Sequence, residues 1–159
     1  MKKRLTFLLS ILMISLMSFG QLAGIKTIPG DYATVAAAIA ALNSAGVGSG
    51  GVTFNVTAGY TETFPSLTSG LITATGTSAN PIVFRKNGTG ADPVITAAVG
   101  TSADYEYIIA LQGTDYITFD GIDVTDPTGL VEWGYALLKA SGTDGAQYVT
   151  IKNCNITMN

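Results

Sequence analysis

"YITFDGIDVT" occupies residues 116–125, and "YVTIKNCNIT" occupies residues 148–157, 32 residues further on. In the first stretch Ile117 and Phe119 alternate as in a strand with one apolar face. Strict alternation would then put Gly121 on that face, but the apolar residues resume at Ile122 and Val124, after a step of three. In the second stretch the apolar positions are Val149 and Ile151, then Cys154 and Ile156, and the step of three falls at the same place. A flat strand would send its second half to the opposite face. A sharp corner at Asp120-Gly121 and at Lys152-Asn153 keeps both halves turned to one interior. Gly and Asn are the residues that enter the left-handed conformation most readily.

Short strands that meet at corners and return after tens of residues predict a coil of a parallel β-helix. The repeat places Tyr116 beneath Tyr148, Thr118 beneath Thr150, and Cys154 at the inward position of Ile122. The intervening "DPTGLVEWGYALLKASGTDG" is long enough for a third strand, "YALLKA", and a looped excursion.

Outward from this repeat, the rest of the chain agrees. "GVTFNV" turns Val52, Phe54 and Val56 to one face, and "PIVFRK" does the same with Ile82 and Phe84. "PVITAA" and "YIIAL" are two further apolar runs. Between them lie "GTSANP", "NGTGADP" and "GTSAD", which read as turns. One segment has helical spacing. Residues 31–45, "DYATVAAAIAALNSA", place Tyr32, Val35, Ile39 and Leu42 on one face. Asp31 is the expected cap of its start and Gly46 its end. The helix should close one end of a β core that occupies about residues 50–159.

The chain begins with "MKKR", an uncharged apolar run and "SFG", the layout of a secretory signal peptide over residues 1–20. The remainder, 21–159, is read as one domain. It carries five basic residues (Lys26, Arg85, Lys86, Lys139 and Lys152) against eleven acidic ones, a net charge of −6. Nucleic acid and anionic membrane are therefore not expected partners of the mature form. Charged residues make up 12% of the chain, about half the share in an ordinary soluble domain, while 47% is apolar, enough for a core. With no histidine, the chain holds no Ser-His-Asp triad, Cys-His dyad or His-ligated zinc site. Its one cysteine excludes an internal disulfide.

The sequence resembles secreted right-handed parallel β-helix proteins of the pectin lyase-like superfamily. The likeness lies first in "TIPGDYATVAAAIAALNSAGVGSGGVTFNVTAGYTET" (27–63), through Thr34, Val35, Ile39, Gly59, Tyr60 and Glu62. It continues in "GTSANPIVFRKNGTGADPVIT" (76–96) and in the 116–125 coil. The low-charge, Gly/Thr/Asn-rich style is similar to large surface proteins of Bacteroidetes-type bacteria. The resemblance implies an all-β, right-handed parallel β-helix with an N-terminal capping α-helix. It leaves activity open, since the superfamily holds lyases, hydrolases, esterases, adhesins and stalks. The chain stops on a coil with no closing element, so an incomplete solenoid is expected, with any catalytic coils downstream.

Three groups of residues invite a functional reading. Trp133 and Tyr135 in "EWGY" could stack on the apolar faces of sugars, or simply pack on the flank of the solenoid. Asp120, Asp123 and Asp126 in "DGIDVTD" could attract calcium, but the spacing fits no EF-hand loop and solvated turn acids are the plainer reading. Arg85 and Lys86 could serve a lyase as base and charge neutraliser, but neighbours on a strand point to opposite faces. No catalytic residue or cofactor is expected. The expected function is a non-catalytic module, secreted or on the cell surface, that adheres or binds polysaccharide. The alternatives are the front of a polysaccharide lyase or related carbohydrate-active enzyme, and a structural stalk.

Overall fold

Both halves of each repeat do face one interior, and the corners lie where the apolar step of three places them. Gly121 has φ +68° and Asn153 φ +54°. The structure, a computed structural model, describes residues 20–101 and 105–159. The expected leader lies outside the described residues, apart from Gly20.

The described elements are β1 (Leu22–Ile28), α1 (Val35–Ala45), β2 (Val47–Thr57), β3 (Thr61–Thr63), β4 (Leu71–Ile72), β5 (Ile82–Asn87) and β6 (Val94–Thr96). They continue with β7 (Tyr107–Gln112), β8 (Ile117–Asp120), β9 (Asp123–Asp126), β10 (Trp133–Ser141), β11 (Asp144–Gly145), β12 (Val149–Lys152) and β13 (Ile156–Met158). They form three sheets. The first has the order β1-β2-β5-β8-β12, the second β11-β10-β7-β4 and the third β13-β9-β6-β3. All pairings are parallel except the β10–β11 hairpin. From β2 onward the chain visits the first, third and second sheets in turn. It is a parallel β-solenoid of about four turns.

Register stacks like on like. Phe54, Phe84 and Phe119 pair across neighbouring strands, and all three are fully buried. Their rings stack at 4.5 and 5.2 Å between centroids. Each such ring contributes about 1.5–3 kcal/mol through burial alone. The expected pairs form: Thr150 lies beside Thr118 on the neighbouring coil, and the rings of Tyr116 and Tyr148 stack at 4.2 Å. Both tyrosines have positive φ, 50° and 54°, so each coil enters the first sheet through a second corner five residues before the first.

The helix differs from its expected span. It begins at Val35, and its cap is Thr34, whose hydroxyl accepts from the Ala37 N–H at 3.0 Å. Asp31 instead closes the preceding turn, accepting from the Thr27 N–H at 2.8 Å and the Thr27 hydroxyl at 2.9 Å. Tyr32 therefore precedes the helix and rests against the Phe54 ring. The expected stripe otherwise holds, with Val35, Ile39 and Leu42 buried, and Gly46 closes the helix at φ +70°. A second carboxylate completes the helix start. Glu62 occupies the interior column of the third sheet, beside Ile95. It accepts from the Val35 and Ala36 N–H groups at 2.7 and 3.1 Å. These are helix-terminal donors with no partner inside the helix. Tyr60 donates its hydroxyl to the same carboxylate at 2.8 Å, and burial together with Glu62 pushes the phenol up to about 12. The "Gly-Tyr-x-Glu" stretch thus fastens the helix to the end of the solenoid.

Strand β1 extends the sheet beyond the expected start near residue 50, so α1 is inserted between the first two strands of the first sheet. Cys154 lies over Ile122, whose N–H points to its Sγ at 3.3 Å, but the thiol is half-buried because no described strand covers its far side.

The corner predicts its own mutants. Gly121→Val should lower stability by about 2–3 kcal/mol, the range for a residue forced into a sparsely populated backbone region. A Cβ there would also press on the Lys86 Cβ at 3.3 Å. Asn153→Gly keeps the corner and should cost less, about 1 kcal/mol, for the lost hydrogen bond to Asp120. Urea unfolding checks both, and equal shifts for the two variants would count against the corner.

Candidate functional site

The excursion after β9 is organised by one carboxylate. Asp126, 1% exposed, accepts at Oδ1 from the Thr128 N–H (2.9 Å) and hydroxyl (2.6 Å). At Oδ2 it accepts from the Leu130 and Val131 N–H groups at 2.8 and 2.9 Å. Burial opposes its charge, but these donors outweigh burial and hold the carboxyl below the usual range. The folded loop delivers Glu132 and Trp133 to the start of β10.

Trp133 is half-buried, and its ring meets Tyr105 edge to face at 5.6 Å. Tyr105 is 71% exposed, at φ +73°. The two rings belong to adjacent coils, joined where the Trp133 N–H donates to the Glu106 carbonyl at 3.1 Å. Glu132 is exposed, and its Oε2 accepts from the Glu106 N–H at 2.7 Å. Its carboxylate is thereby anchored at the Tyr105–Glu106 peptide. Glu106 itself is buried, and its carboxylate accepts from the N–H and hydroxyl of Thr101.

Tyr135, expected to act beside Trp133, has its ring edge-on to Phe119 at 5.2 Å and donates its hydroxyl to the Ile122 carbonyl at 2.8 Å. Burial, with Cys154 close by, pushes its phenol well above the ordinary value, so the hydroxyl remains a donor. Its ring packs on the interior, whereas Trp133 meets Tyr105. Sequence reasoning passed over Tyr105, although an aromatic heading "YEYIIAL" directly after a turn cluster was the available signal.

The three aspartates of "DGIDVTD" have separate partners. Asp120 accepts from Asn153 Nδ2 at 2.7 Å and pairs with Lys152 at 3.2 Å. Asp123 accepts from the Asn155 N–H at 2.7 Å and its Nδ2 at 3.2 Å. Asp126 holds the loop. The first two tie one coil to the next. Among the described residues, no three acidic, cysteine or histidine side chains gather in a metal-binding group. Arg85 and Lys86 also go separate ways. Arg85 donates to Asn55 Oδ1 at 2.8 Å, while Lys86 pairs with Asp92 at 2.6 Å.

Two clefts mark the surface of the described residues. The larger, about 380 Å³, lies beside α1 between Leu22, Tyr32, Ala41 and Ala45, with Gly20 and Ser44 at its border. It is apolar and far from the paired aromatics in the fold. The smaller, about 200 Å³, runs along β10 and is lined by Trp133, Tyr135, Ala136, Leu137 and Leu138.

No protein-family profile, curated protein or solved structure matches the chain.

Proposed function

We propose that this chain is a secreted or cell-surface β-solenoid module of the pectin lyase-like type that binds carbohydrate without cleaving it. The reading rests on the Tyr105–Trp133 pair, set at one coil junction by the Trp133 N–H bond to the Glu106 carbonyl. Aromatic rings that reach the surface suit the apolar faces of pyranose sugars, and with two side-chain torsions each they lose little entropy on binding. The separate engagement of Arg85 and Lys86 with their own neighbours supports a binding role over elimination chemistry, which needs a base and a charge neutraliser at one point.

An immobilised glycan panel tests this reading. The protein should bind at least one glycan class, and the double variant Tyr105→Ala/Trp133→Ala should bind at least about tenfold more weakly with its melting curve intact. A blank panel, undiminished binding by the double variant, or release of unsaturated uronate from a bound glycan would each refute it.

A further inference from the structure

The geometry points to a glycan of uncharged pyranose rings as the ligand of the Tyr105–Trp133 face, with Glu132 accepting its hydroxyls and repelling polyuronates. This rests on the carbohydrate-binding reading above. Glu132 uses Oε2 for the Glu106 N–H, and its Oε1 takes no hydrogen bond from the described residues. An exposed carboxylate oxygen thus sits at the peptide that carries Tyr105, one residue from Trp133. Sugar hydroxyls donating to a carboxylate make short, strong hydrogen bonds.

The basic groups of the described residues lie elsewhere. Lys26, Arg85, Lys86 and Lys152 are all on strands of the first sheet. Lys139 shares β10 with Trp133 but lies six residues along it, about 20 Å away. A uronate chain carries one carboxylate on every ring and would bring like charge against Glu132, with no cation of the described residues on β10 nearer than Lys139. A neutral ring offers its apolar face to the aromatics and its hydroxyls to Glu132.

Calorimetric titration of the whole protein tests the charge preference. The probes are neutral gluco-, manno- and xylo-hexasaccharides, and oligogalacturonate of the same length. The wild type should bind a neutral hexasaccharide and leave oligogalacturonate unbound. Glu132→Gln should bind that neutral ligand about tenfold more weakly, the loss expected for a charge-assisted hydrogen bond. Its amide oxygen can still accept from the Glu106 N–H, so the fold is kept. Glu132→Lys should gain oligogalacturonate binding. Preference of the wild type for oligogalacturonate, or an unchanged affinity in Glu132→Gln, would overturn the inference and leave the carbohydrate reading intact. Failure of the wild type to bind any of these probes would also overturn it, and the glycan panel decides separately whether the carbohydrate reading falls with it.

Discussion

Phe84→Ala should lower the unfolding free energy by about 3–5 kcal/mol, the range for removing a fully buried aromatic ring. Phe84 is 0% exposed and lies between two other rings, at 4.5 Å from Phe54 and 5.2 Å from Phe119. Its place in mid-column makes collapse difficult, because each neighbour is held in its own parallel strand. The vacated space would also interrupt the contact between successive coils. In a solenoid that contact carries the cooperativity. Urea unfolding followed by circular dichroism should therefore show a lower midpoint and a broader transition. Val83→Ala, on the outward side of the same strand, should cost less than about 1 kcal/mol. A Phe84 effect as small as that of Val83 would refute the stacked column as the main support of the core.

Asp126→Ala should cost about 3 kcal/mol and also weaken glycan binding. Four donors lose their acceptor, and at least the Val131 N–H is buried, since Val131 is 5% exposed. Asp126→Asn should be nearly as harmful, because one amide NH₂ would face either the Leu130 and Val131 donors or the Thr128 donors. The charge has a pH signature. The folded carboxyl lies below its unfolded value, so its contribution is fully present above about pH 4. It is lost as pH falls through the lower folded value. Melting temperature followed from about pH 6 down to about pH 2 should fall more steeply for the wild type than for Asp126→Ala. Some acid dependence should survive in the variant. Asp120 is held low by Asn153 and Lys152, and Asp31 by Thr27. Parallel pH curves for the two proteins would show that the loop does not depend on the ionised carboxylate.

The parts of the fold legible in the sequence were those written in one strand's own side chains. Alternation exposed β2, β5 and β8, and the apolar step at Gly121 and Asn153 gave the corners. What stayed hidden depends on partners far along the chain. The helix start was misplaced because Asp31 turns back to Thr27 and leaves the cap to Thr34, and Glu62, some 27 residues on, satisfies the first N–H groups. β3 and β4 are three and two residues long, too short to show a period. β1 leaves Ile25 63% exposed, so its apolar residues do not mark an inward face. The candidate site was legible in part. "EWGY" drew attention to Trp133 and Tyr135, which line one cleft, while the Tyr105 ring meets Trp133 only through coil stacking. Asp126 looked like a solvated turn acid because its four donors come mostly from the backbone, which side-chain patterns do not reveal.

Val52, Ile82, Ile117 and Val149 occupy one column of the first sheet, yet the chain takes 30, 35 and 32 residues to travel between them. The column does not register the difference, because the surplus is carried in the segments between the strands. Length and alignment are thus independent variables in this architecture. An outward segment can be enlarged, shortened or exchanged without re-indexing the strands beneath it, provided its two ends return to the same corners. The strands and their corners set how the coils align, and the segments between them set how long each turn is.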